Sequence, residues 1–178
     1  MLFGLRCCGS RVLSRLGVLL AVLSLLAACM SDPVPAPQGL RDVTKPIGSS
    51  TRFDPARFGG LWYRRAGGIK GKPALRITPE GAGFAVAELG PDGVVLARYT
   101  LTAGPRVGQF QTQGDGGTRA FWLLWVDEGW RTMALGNPKG SIGAIYDRAP
   151  KGGADRIAAA TEIMTWYGYD MAQLALRP

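Results

Sequence analysis

Residues 53–65 read FDPARFGGLWYRR. Two adjacent glycines, Gly59 and Gly60, stand directly before Leu61-Trp62-Tyr63, and Arg64 and Arg65 follow at once. Glycine reaches backbone angles and close approaches that a Cβ forbids. The pair therefore lets the chain swing sharply just before it presents a large indole. The residues that follow should supply the structure that such an indole packs into.

They do so as short strand signals separated by turn signals. The candidate strands are residues 61–66, 74–78, 83–89, 94–102, 107–113, 119–126, 130–135 and 141–147. Between them lie Pro79-Glu80-Gly81, Gly90-Pro91-Asp92-Gly93, Gly114-Asp115-Gly116-Gly117, Asp127-Glu128-Gly129 and Gly136-Asn137-Pro138-Lys139-Gly140. Consecutive strands joined by tight turns make an antiparallel meander, and eight of them can close and remove the exposed edges. The period then changes. ADRIAAATEIMTW, residues 154–166, is alanine-rich with Ile157, Ala160 and Met164 spaced as on one helix face. Asp155 suits its N-terminal end and Gly168 its stop. The expected fold is all-β: an eight-stranded antiparallel up-and-down barrel with one C-terminal helix packed outside.

The N-terminal side has a different character. Residues 1–15 carry Arg6, Arg11 and Arg15 and no acid, and residues 16–28 form an apolar run broken by one serine. That run is shorter than the ~20 residues of a spanning helix and suits a signal-peptide core. It ends in Leu26-Ala27-Ala28-Cys29, which resembles the lipobox of bacterial lipoproteins. The resemblance implies cleavage before Cys29 and lipid attachment at its thiol, with Met30 favouring the outer membrane, facing the periplasm. A soluble secreted chain cleaved nearby is the alternative. Several acyl chains hold a protein on a bilayer where one is marginal. Residues 30–52 contain four prolines and little apolar periodicity, and so read as an extended tether. The expected organisation is a signal peptide over 1–28, a lipidated cysteine and tether over 29–52, and a barrel with its helix over 53–178.

Composition removes whole classes of chemistry. The chain has no histidine, so imidazole bases, Ser-His or Cys-His pairs and His-ligated metals do not arise within it. Cys7 and Cys8 leave with the signal and Cys29 is taken by lipid, so the remaining chain offers no disulfide, redox pair or thiolate metal site. The 13 acidic residues form no recognisable catalytic pair. Loss of the three leader arginines lowers the net charge from +8 to +5, and the excess is scattered rather than clustered. A mildly cationic solvated surface explains it better than nucleic-acid binding. No enzyme activity, cofactor, metal or nucleic-acid partner is expected.

Gly60-Leu61-Trp62-Tyr63, preceded by Phe53-Asp54 and Arg57-Phe58, resembles the first-strand Gly-x-Trp signature of the lipocalins, closest to the bacterial lipid-anchored members. Asp127, followed by Trp130, resembles a degenerate second motif, and Arg148 after the last strand resembles the third. The resemblance covers residues 53–178. It implies that Trp62 plugs the closed end of the barrel beneath Arg148, with Gly60 giving the close approach. It also implies a binding protein, with a fatty acid or lysophospholipid in the lumen for lipid storage or transport in the cell envelope. Trp130, Thr132 and Ala134 on the seventh strand, with Ile142, Ala144 and Tyr146 on the eighth, are the expected lining. Small residues there, Ala134, Gly136 and Ala144, suggest internal space. Trp122 and Trp125 have opposite parity, so at most one should face inward. A filled, purely structural barrel, an avidin-like relative and an enzyme on the same scaffold are the alternatives.

Overall fold

The computed structural model describes residues 39–68, 73–113 and 117–175. The signal-peptide reading over 1–28, Cys29 and the first part of the tether lie outside the described residues. A short helix, α1 (Pro55–Phe58), begins under Asp54, whose carboxylate caps the Ala56 and Arg57 amides. Eight strands follow: β1 (Gly60–Gly67), β2 (Ala74–Glu80), β3 (Gly83–Leu89), β4 (Val95–Ala103), β5 (Gln109–Gln113), β6 (Arg119–Val126), β7 (Thr132–Gly136) and β8 (Gly143–Asp147). Each is antiparallel to its neighbour, and β8 pairs with β1 to close the barrel. Then come α2 (Ala154–Trp166) and α3 (Met171–Ala175).

Alternation along the strands divides the apolar residues among two large cores and a small third cluster of Ala74, Ala87 and Leu89. Trp62, Leu75, Ile77, Phe84, Val86, Leu101, Phe110, Leu123, Met133 and Leu135 belong to the cluster inside the barrel. Leu124, Ala134, Ile145, Ala160, Met164, Tyr169 and Leu174 form a second cluster, between the outer wall and the C-terminal helices. Helix α2 is anchored there by Ala160 and Met164, and its end is closed by backbone bonds from Tyr167, Gly168 and Tyr169 to the carbonyls of Ile163, Thr165 and Met164.

The tether expected to run to residue 52 is corrected from Gly39 onward. Leu40 is buried and donates its N–H to the Gly140 carbonyl, and Arg41 bridges to Tyr169. The Arg41 side chain, only 2% exposed, donates to the carbonyls of Tyr167 (3.0 Å), Pro138 (2.6 Å) and Lys45 (2.6 Å). Farther on, Ser50 N–H bonds to Leu123 O and Ser49 Oγ to Val107 O. This segment is a strap across the outer wall. Proline content argued for an extended tether; instead the segment turns at Asp42–Lys45, where Lys45 N–H donates to Asp42 O, and the amides of Leu40, Asp42 and Ser50 are bonded to the carbonyls of Gly140, Gly168 and Leu123.

Candidate functional site

The lower end of the lumen is the end where β1 and β7 begin, and it is filled. Trp62 is fully buried and donates its indole N–H to Phe58 O at 2.9 Å. Phe58 stacks on Phe110 with ring centres 5.5 Å apart and meets Phe84 edge-on at 5.0 Å, while Phe53 packs edge-on against all three. Such rings add directed contact to their apolar burial. Arg148 closes the floor from outside. Its guanidinium carbon lies 3.6 Å from the Trp62 ring centre, and its nitrogens donate to Arg57 O, Leu61 O (3.2 Å) and Trp130 O (3.4 Å). Gly60 has φ +104°, and a Cβ there would stand 2.8 Å from an Arg148 nitrogen. The glycine is what lets the guanidinium reach the first strand.

Asp127 builds the adjoining bend. Its carboxylate accepts from the amides of Arg131 and Thr132, each at 2.6 Å, and from Gly129 N–H and Arg131 Nε at 3.2 Å. The bend holds Trp130 at φ +58°, and its ring joins the inner cluster. Trp130 was expected on the seventh strand, but β7 starts at Thr132.

That displacement reverses part of the expected lining. Thr132 and Ala134 face outward. Thr132 Oγ1 donates to Asp147 Oδ2 (2.5 Å) and accepts from Arg156 Nε (3.0 Å), and Ala134 packs under α2. Met133 and Leu135 take the lumen in their place. On β8, Ala144 and Tyr146 face inward and Ile142, just before the strand, packs partly buried against the same cluster. Gly136 opens space on the outside, not the inside, as the socket of Tyr169. A bulge at Leu124, where pairing shifts between Leu123 and Trp125, sends both Trp122 and Trp125 to the outer cluster.

Above the aromatic floor the lumen becomes polar, and sequence reasoning missed most of this region. Arg64 and Tyr146 face each other across the β1–β8 pairing. Glu88 on β3 pairs with Ala97 of β4, so Tyr99 is its diagonal neighbour on the inner face. Glu88 is 8% exposed and Tyr146 6%. Arg64 Nη1 donates to Gly67 O at 3.2 Å. Burial, and then the Glu88 carboxylate, push the phenols of Tyr99 and Tyr146 well above the ordinary tyrosine range, so both stay protonated. The signal was present in the inward parity of positions 64, 88 and 99, once the bulges are placed.

No family model and no curated protein sequence matches the chain. Among solved structures it is similar to apocrustacyanin C2, with a TM-score of 0.56 and 12% identity over 79% of this chain and 89% of that one. Apocrustacyanin C1 gives a TM-score of 0.52 and 13% identity, covering 66% of this chain and 74% of that one. The fold is lipocalin-like. An up-and-down barrel of eight strands with a helix after the last is common to them, and at these identities the likeness is one of fold.

Proposed function

We propose that this chain is a binding protein whose upper lumen takes a small hydrophobic ligand of the single-chain amphiphile class, to which fatty acids and lysophospholipids belong. The observation that carries the reading is the division of the lumen: a floor sealed by Trp62, Phe58 and Phe110, and above it apolar walls interrupted by the polar side chains of Arg64, Glu88, Tyr99 and Tyr146. An acyl chain lying against Leu75, Val86, Met133 and Leu135 would gain about 0.8 kcal/mol per buried CH₂, less the cost of ordering it. Cys29 would be the lipid attachment point and would hold the barrel at a membrane of the cell envelope, most naturally the outer membrane. The lipobox-like Leu26-Ala27-Ala28-Cys29 supports that location. Titration of the protein with a fluorescent fatty-acid analogue tests the reading. A saturable signal is expected, and a linear, non-saturating one would favour a barrel filled along its whole length. Mass spectrometry of the N-terminal peptide, with Cys29→Ser as control, tests the anchor.

A further inference from the structure

We propose that the lumen selects a ligand whose polar group is a neutral hydrogen-bond acceptor, such as an ester or ketone oxygen, seated between the hydroxyls of Tyr99 and Tyr146. The inference rests on the lumen-binding reading above and specifies what that site recognises.

The two phenols enter from β4 and β8, which stand four places apart in a ring of eight and so lie on opposite walls. Both rings pack with the inner cluster. Among the described residues neither hydroxyl has a hydrogen-bond partner, whereas Arg64 and Glu88, the charged groups beside them, both have interactions of their own. No described side-chain N or O that is sealed from solvent lacks a partner. The two hydroxyls therefore border open space. A phenol that borders open space with no protein partner has its O–H free for an acceptor that enters there, and a ligand that covered it without offering one would leave it buried and unpaired at a cost in free energy.

The character of the acceptor follows from the same residues. Both phenols remain neutral, so they offer hydrogen bonds without a countercharge. A carbonyl oxygen carries two lone pairs and can accept from both walls at once. A carboxylate could accept as well, but it would bring a full charge into a low-dielectric interior. Among the described residues the cation facing Tyr146, Arg64, is already engaged, and the side chain diagonal to Tyr99 is an acidic one, Glu88. Selection by paired neutral donors thus favours the ester over the free acid of the same chain length.

The test is displacement of a bound environment-sensitive dye from the intact protein by laurate, methyl laurate and dodecane at mildly alkaline pH. Methyl laurate is expected to displace the dye at a concentration about tenfold lower than ionised laurate. Tyr99→Phe and Tyr146→Phe are each expected to weaken methyl laurate about fivefold while leaving dodecane unchanged. Each should also leave the melting temperature where it was, since the hydroxyl removed has no internal partner. Tighter binding of laurate than of its ester would overturn the proposal, as would ester binding indifferent to both substitutions. A loss of stability in either Phe variant would do the same, by revealing an internal partner. Failure of the dye and all three compounds to bind would instead sink the lumen-binding reading itself.

Discussion

Arg148 stands over Trp62 with its guanidinium carbon 3.6 Å from the ring centre, and the same side chain donates to carbonyls of α1, β1 and the bend before β7. One residue at the end of the barrel thus ties together three segments that meet only at the floor. A partly desolvated cation–π contact contributes up to about 2 kcal/mol, and charge-assisted hydrogen bonds add to it. Arg148→Ala is expected to lower stability by about 2–4 kcal/mol in urea unfolding. Arg148→Lys should recover only part of that, because an ammonium cannot match the planar fork. A change within about 0.5 kcal/mol for the alanine variant would show that the rings hold the floor without it.

A second tie lies on the outer wall. Asp147 is fully buried and accepts from Thr132 Oγ1 (2.5 Å), Ala149 N–H (2.8 Å) and Arg156 Nη2 (3.0 Å), which joins β7, β8 and α2. Burial alone would raise its pKa. The hydrogen bonds from Thr132, Ala149 and Arg156 outweigh burial and hold the carboxyl below the ordinary value of 3.8. A carboxylate depressed in the folded state adds stability that is fully present above its unfolded pKa and lost as pH falls through the folded one. Melting temperatures should therefore decline below about pH 4, and Asp147→Asn should flatten that decline. At neutral pH the same variant is expected to cost about 3 kcal/mol, since Arg156 loses its buried partner. An unchanged acid limb in Asp147→Asn would assign the decline to other carboxylates.

The strand count and the closing helix were legible in the sequence because each has a local cause, turn residues at short spacing and a change of period, whereas the pairing of Trp62 with Arg148 was expected only from the family resemblance. The lining was less legible. Side-chain direction has period two, so one misplaced residue inverts a whole strand. Asp127 gathers four donors and holds the bend to Arg131, which starts β7 at Thr132 and turns Ala134 outward. Nothing in the letters around Trp130 announces that a tryptophan will occupy a left-handed conformation. The bulge at Leu124 is equally silent in an unbroken apolar run. The strap was misread because the prolines of residues 30–52 were visible while the pocket for Arg41, made of carbonyls from residues 45, 138 and 167, is assembled only by folding.

That strap yields a prediction of its own. A chain begun at Phe53, the boundary suggested by sequence, would lack Leu40 and Arg41 and leave the carbonyls of Pro138 and Tyr167 without their donor. Compared with a chain begun at Gly39, it is expected to lose about 3 kcal/mol and to melt about 10 °C lower. Arg41→Ala in the full chain should reproduce most of the loss. Equal melting of the two truncated chains would show that the strap rests on the barrel without stabilising it.

The socket of Tyr169 gives the sharpest structural test. Gly136 and Gly143 pair directly across β7 and β8, and the tyrosine after α2 lies over both. Its hydroxyl accepts from Asn137 N–H at 2.9 Å and donates toward the carbonyls of Ile142 (2.9 Å) and Asn137 (3.1 Å). A Cβ on Gly136 would stand 2.1 Å from that hydroxyl and 2.7 Å from a Leu124 methyl, and one on Gly143 would stand 2.7 Å from the ring. Gly136→Ala is therefore expected to cost about 2–3 kcal/mol by overpacking, and Tyr169→Phe about 1–3 kcal/mol by orphaning the Asn137 amide. Both changes act at the same hydroxyl, so their effects should not add. In a Tyr169→Ala background the alanine at position 136 no longer meets the ring or its hydroxyl, and its cost should shrink by at least about 1 kcal/mol. Burial also pushes the Tyr169 phenol up to about 12. Its contribution is then complete below about pH 10 and lost as pH rises from there through 12, a limb that Tyr169→Phe should reduce, with the raised phenols of Tyr99 and Tyr146 supplying the rest. Strict additivity in the double-mutant cycle, read by urea unfolding, would mean that the glycine pair serves the strands alone and not the ring above them.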